Sequence, residues 1–159
     1  MLHLRSSTYR YCVIFFVFLL SVSCGGGGKD DPLPAEPTEQ EKVTALLTGG
    51  TGLWSPPASN AITLAGVDVT EELFSGFSIR FTATQLFTTG TTPVWLREDT
   101  WQFKPGSSTI IIRGQDNKEV TIEEINESQL KLTLDWDQTT FEGGRSGSLP
   151  GQYEFIFNK

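Results

Sequence analysis

Five stretches of this chain alternate apolar and polar side chains with a period of two. Phe77, Ile79 and Phe81 alternate with Ser78, Arg80 and Thr82. Trp101 and Phe103 alternate with Thr100, Gln102 and Lys104, and Val120 and Ile122 with Thr121 and Glu123. Leu130, Leu132, Leu134 and Trp136 alternate with Lys131, Thr133 and Asp135, and Tyr153, Phe155 and Phe157 with Gln152, Glu154 and Ile156. Successive strand side chains point to opposite faces, so each stretch sets one face in a core and one in water. One-sided strands of this kind belong to antiparallel sheets, because buried parallel strands are apolar on both faces. Gly90, Pro93, Pro105-Gly106, Asp116-Asn117, Asn126 and Gly143-Gly144 punctuate the stretches with turn chemistry. The pattern predicts an all-β domain: an antiparallel up-and-down barrel of about eight strands, or alternatively a β-sandwich.

Two helical pieces interrupt the strands. Thr38 and Glu41 have capping-box spacing, Val43, Leu46 and Leu47 form an apolar stripe, and Gly49-Gly50 stops it. A short N-terminal helix follows from this. Thr70 is placed to cap a turn over Glu71-Glu72-Leu73-Phe74 that Gly76 ends. Glu71 and Glu72 then read as acids at a positive helix end, not as a catalytic pair.

The N-terminus has a different character. Arg5 and Arg10 precede Val13-Ile14-Phe15-Phe16-Val17-Phe18-Leu19-Leu20, an apolar run of eight residues. A bilayer span needs about 20 helical residues, so residues 1–23 read as a signal peptide. Ser21-Val22-Ser23-Cys24 resembles the lipobox of bacterial lipoproteins, with Ser21 where that family usually has Leu. The resemblance implies two or three acyl chains on Cys24 and a partner in the membrane itself. Each buried CH₂ contributes roughly 0.8 kcal/mol, so more than one chain makes a stable anchor. The alternatives are an ordinary secretory leader cut near Ser23, which leaves Cys24 a free thiol, or a retained signal anchor. Lys29-Asp30-Asp31 resembles the export signal that sends Bacteroidetes lipoproteins to the outer face of the outer membrane; its alternative is a solvated spacer. Glycines 25–28 and Pro32, Pro34 and Pro37 make residues 24–42 a flexible Gly/Pro/acidic tether ahead of a domain over 43–159. Fully extended, residues 25–38 reach about 45 Å.

Charge and residue usage narrow the function. The net charge of −7 becomes −9 when Arg5 and Arg10 leave with the leader. Nucleic-acid binding needs a basic face and is excluded on this ground. His3 and Cys12 also leave, so the mature domain has no imidazole and no thiol beyond Cys24. This excludes Ser-His-Asp and Cys-His catalysis and zinc sites built on His and Cys. Asp135 and Asp137 share one strand side and could serve glycoside hydrolysis or hold calcium, but Lys131 and Thr133 on the same face mark it as solvated. Asn126-Glu127-Ser128 fits a glycosylation sequon and reads better as a turn. No enzyme activity, cofactor or metal site is expected.

Gly52-Leu53-Trp54 sets a Gly-x-Trp at the start of the first strand, as in lipocalins. The order helix, Gly-x-Trp strand, hairpins, aromatic last strand is also similar. Three further stretches resemble the Bacteroidetes lipocalin-like lipoproteins. They are Gly66-Val67-Asp68-Val69-Thr70 leading to Leu73-Phe74-Ser75-Gly76-Phe77; Pro93-Val94-Trp95 before Thr100-Trp101-Gln102-Phe103; and Leu130-Lys131-Leu132-Thr133-Leu134 before Gly143-Gly144-Arg145. The likeness covers residues 43–159. It implies a lipocalin-like barrel, and lipocalins usually place an Arg over that Trp near the chain end, for which Arg145 is the nearest candidate.

Such a barrel is either filled by side chains or holds one small ligand. Eight Phe, four Trp and one Tyr follow the leader, enough to fill it. Trp95, after Pro93, either stacks on a sugar or a partner or folds back to close a barrel end. Trp101 is the second candidate ligand contact. The expected function is an outer-membrane, cell-surface lipoprotein that binds a small apolar molecule or a glycan. Its alternative is a non-catalytic accessory subunit of an outer-membrane assembly.

Overall fold

The computed structural model describes residues 35–138 and 148–159. Helix α1 (Glu39–Thr48) leads into β1 (Leu53–Trp54), β2 (Ile62–Leu64) and β3 (Val67–Asp68), then the short α2 (Thr70–Leu73). There follow β4 (Ser78–Phe81), β5 (Gln85–Thr89), β6 (Glu98–Phe103), β7 (Ile110–Arg113), β8 (Glu119–Ile125), β9 (Gln129–Trp136) and β10 (Gly151–Asn158). The ten strands form one continuous antiparallel sheet, in the order β1-β4-β5-β6-β7-β8-β9-β10-β2-β3, and not two stacked sheets. All-β architecture with a short helix is therefore what the alternation produces.

The sheet curls. Ser55, just after β1, exchanges two backbone hydrogen bonds with Asn158 of β10, at 2.9 and 2.8 Å. The β10 edge away from β9 is thus shared between Ser55 and β2, whose Ile62–Leu64 pair with Phe155, Glu154 and Tyr153. Strands β4, β6, β8, β9 and β10 coincide with the alternating stretches. Strand β7 was hidden in the run Ile110-Ile111-Ile112, where three adjacent apolar residues mask the period although Ile111 is inward.

The capping box of α1 forms as spaced: Glu41 N donates to Thr38 Oγ1 at 3.2 Å, and Thr38 N donates to a Glu41 carboxylate oxygen at 2.6 Å. Residues 39–42, at the end of the stretch read as tether, make the first turn of this helix. Thr70 does not cap α2. The capping position is Val69, with no side-chain bond. The Thr70 hydroxyl is buried and accepts from the backbone of Ala61 (3.1 Å) and Ile62 (2.9 Å) while donating to Asp68 (2.6 Å). Unpaired buried amides cost more than a frayed helix start, so the hydroxyl serves β2 instead.

Aromatic side chains fill the concave side. Trp54, Phe74, Phe77, Phe81, Trp95, Tyr153, Phe155 and Phe157 are all buried. Phe155 sits among five rings: Phe74, Trp95, Tyr153, Phe157 and Phe77, with centroids 5.4 to 6.2 Å away.

Candidate functional site

The Gly-x-Trp segment has a definite geometry. Gly52 lies at φ +66, and a Cβ there would stand 2.2 Å from the carbonyl oxygen of Phe81. Only glycine allows this turn and the hydrogen bond from Phe81 N to Gly52 O, 2.9 Å. Trp54 is fully buried, and its indole N–H donates to Leu47 O at 2.9 Å. The ammonium of Lys159 lies 4.4 Å from the Trp54 ring centroid and donates to Leu46 O at 2.8 Å. The last carbonyls of a helix lack partners within it and attract cations. Trp54, just after the helix, supplies a hydrogen-bond donor to α1, and Lys159 supplies the cation from far along the chain. Among the described residues, the cation over the tryptophan is Lys159; Arg145 lies outside them. A sequence signal for Lys159 existed, since it continues the inward phase of Tyr153, Phe155 and Phe157.

Beside this lock lies an open groove of about 650 Å³. Its floor is Ala45, Leu46 and the glycines 49 and 50, and its rim carries Lys42, Lys159 and Glu127. Small-ligand sites have about 300–1,000 Å³, mostly apolar walls and a few polar groups, and the groove has these properties.

A second assembly, which the sequence reading missed, centres on a buried arginine. Arg113 is 1% exposed. Its Nε donates to Asp116 at 3.0 Å, Nη2 pairs with the other oxygen of that carboxylate, and Nη1 donates to Val94 O at 2.6 Å. The guanidinium lies against the rings of Trp95 and Trp136, at 5.1 and 5.6 Å. The visible signal was Arg113 and Asp116 three apart across a turn.

Trp95 accordingly is not an exposed stacking residue. It is 1% exposed, held between Arg113 and the edge of Phe155. Trp101 is 6% exposed; its N–H donates to Thr82 O at 3.0 Å, and its ring meets Phe81 and Phe103 edge-on. A cavity of about 270 Å³ adjoins Trp101, beside Thr100, Gln102, Gly114 and Asn117.

Asp99 is 2% exposed. One oxygen accepts from Thr100 N (2.8 Å) and Gln115 N (3.0 Å), and the other has no hydrogen-bond partner among the described residues. Burial raises its pKa, against the lowering by those two amides and by Arg113. A carboxyl raised on folding stabilises fully below its unfolded pKa, and that contribution is lost as pH climbs through the raised value. Asp99→Asn removes a buried charge that costs stability at neutral pH. The variant should be more stable than wild type at pH 7 and converge with it below about pH 4, near the ordinary carboxyl value. Urea titrations across that pH range would check this, and an equal difference at every pH would refute it.

The remaining candidates behave as surface. Asp135 is exposed, and Asp137 pairs with Lys118, whose hydrogen bond lowers its pKa. Asn126 Oδ1 accepts from Ser128 N and Gln129 N at 3.0 and 2.9 Å, making the β8–β9 turn. Among the described residues no His, Cys, Asp and Glu side chains group as metal ligands, and no helix is long and apolar enough to cross a membrane. Cys24, Lys29, Asp30 and Asp31 lie outside the described residues. No protein-family model, no curated protein and no solved structure matches this chain.

Proposed function

We propose that this chain is a non-catalytic cell-envelope lipoprotein, anchored through Cys24 in the outer membrane and exposed at the cell surface. Its lipocalin-like barrel is a filled scaffold, and its small apolar ligand sits outside the barrel, in the groove beside α1. The Ser55–Asn158 bridge supports reading β1 and β4 to β10 as a ring of eight strands, with the β2–β3 hairpin at its rim. The glycine turn at Gly52 supports the lipocalin likeness, and Lys159 lies over Trp54 where lipocalins usually have an Arg. One observation carries the placement of the ligand: the concave side is occupied by aromatic rings, while an open apolar groove of about 650 Å³ lies against the helix. The glycan version loses its two stacking residues, because Trp95 and Trp101 are buried.

The location is tested with Cys24→Ser, which is expected to move the protein from the detergent phase to the aqueous phase in a phase-partition assay. Protease shaving of intact cells, with Asp30→Ala/Asp31→Ala beside wild type, tests surface exposure. Ligand placement is tested by native mass spectrometry of the full chain released from membranes. A co-purifying small molecule should be lost in Ala45→Trp, which plugs the groove from an exposed helix position. Retention of that molecule in Ala45→Trp would defeat the placement. The filled interior also suits the accessory-subunit reading, which gains if wild type carries no small molecule and co-purifies instead with an outer-membrane protein at fixed stoichiometry.

A further inference from the structure

We infer that the groove ligand is a single-chain amphiphile with a carboxylate head, held by the ammonium groups of Lys42 and Lys159; this rests on the proposed ligand-binding reading of that groove. Charge is the first ground. The chain is acidic, at −7, yet two of the three charged side chains on the groove rim are lysines. An ammonium has three donors. Lys159 directs one to Leu46 O, and its position over Trp54 holds it in place. No ion pair involves it among the described residues. Lys42 pairs with Glu39 at 2.7 Å, but both side chains are at least half exposed. Such a pair within one helix contributes little and yields easily to a ligand carboxylate.

The apolar part is the second ground. Leu46 is half-buried and Ala45 exposed, one turn from the two glycines, so the floor is a strip of hydrocarbon and backbone. A side chain at Gly49 would meet Ala45 O at 2.8 Å and the Lys159 ammonium at 3.3 Å, whereas Gly50, at φ +65, faces open space. Its volume lies within the small-ligand range, which favours one acyl chain over a two-chain phospholipid. Glu127 at the rim disfavours a doubly charged phosphate head more than a singly charged carboxylate. Each CH₂ laid on the floor contributes roughly 0.8 kcal/mol, and the ammonium groups set the register.

The experiment uses the full chain in amphipol and a sixteen-carbon carboxylic acid bearing a diazirine near its tail, at about micromolar concentration. Irradiation and peptide mass mapping should place the label on residues 42–50, saturably. The methyl ester of the same probe should label at least ~10-fold less, as should Lys42→Gln/Lys159→Met and Ala45→Trp, a difference of about 1.4 kcal/mol or more. Equal labelling by acid and ester confined to 42–50 would overturn the carboxylate assignment and leave the groove as a binding site. Label spread over the sheet, or undiminished in Ala45→Trp, would overturn both. Because Lys159 also supports α1, thermal unfolding of each variant is measured alongside. If Lys159→Met unfolds, Lys42→Gln alone must still lower acid labelling and leave ester labelling unchanged.

Discussion

Asp116→Ala is expected to destabilise the domain by about 3–5 kcal/mol, because it breaks a buried ion pair by removing one partner. Arg113 is 1% exposed, and Asp116 receives two of its hydrogen bonds. The Val94 carbonyl and the two tryptophan faces remain in contact with the guanidinium but do not replace the two hydrogen bonds to the lost carboxylate. The midpoint of urea unfolding should fall with little change in slope, which is the signature of lost stability in an unchanged fold. Replacing both partners with apolar residues, as in Arg113→Met with Asp116→Leu, should cost much less than Asp116→Ala alone. Additive losses would show that the two side chains do not act as a pair. A single-variant loss below about 1 kcal/mol, the scale of an exposed ion pair, would mean that water reaches the guanidinium.

Phe155→Ala should cost about 3–5 kcal/mol, the range for emptying a large aromatic site in a close-packed core. Phe155 is fully buried, and five aromatic rings surround it, so removing it leaves a hole those rigid rings fill poorly. Apolar cavities of this kind stay dry and accept small aromatic molecules. Part of the lost stability should therefore return when benzene is added, in proportion to its occupancy. The same variant separates a filled scaffold from a hollow one. In a hollow barrel the truncation would remove contact on one side only and cost well under 3 kcal/mol. That smaller loss would return the ligand to the interior and empty the groove assignment of its motive.

The strands were legible wherever burial is one-sided. The inward Tyr153, Phe155 and Phe157, and the inward Leu130, Leu132 and Leu134, are the same residues that the period of two selects. The helix was legible because its capping box is local chemistry between Thr38 and Glu41. Reading failed where a side chain answers to a distant backbone. Thr70 looks like a cap within a five-residue window, but its hydroxyl serves amides eight and nine residues away. For Trp95 the sequence leaves an exposed stacking residue and one folded back as alternatives, and it is buried against a cation 18 residues later in the chain.

Local spacing alone determined that this chain forms one-sided antiparallel strands behind a capped helix, since strand period and helix caps act over two to four residues. Tertiary structure alone decided that Lys159 lies over Trp54, that Arg113 lies buried among aromatic rings, and that the concave side is filled while a groove stays open at α1. The physical reason is distance along the chain. Lys159 meets Leu46 across 113 residues, and neither composition nor period reports on a contact that exists only once the sheet has curled.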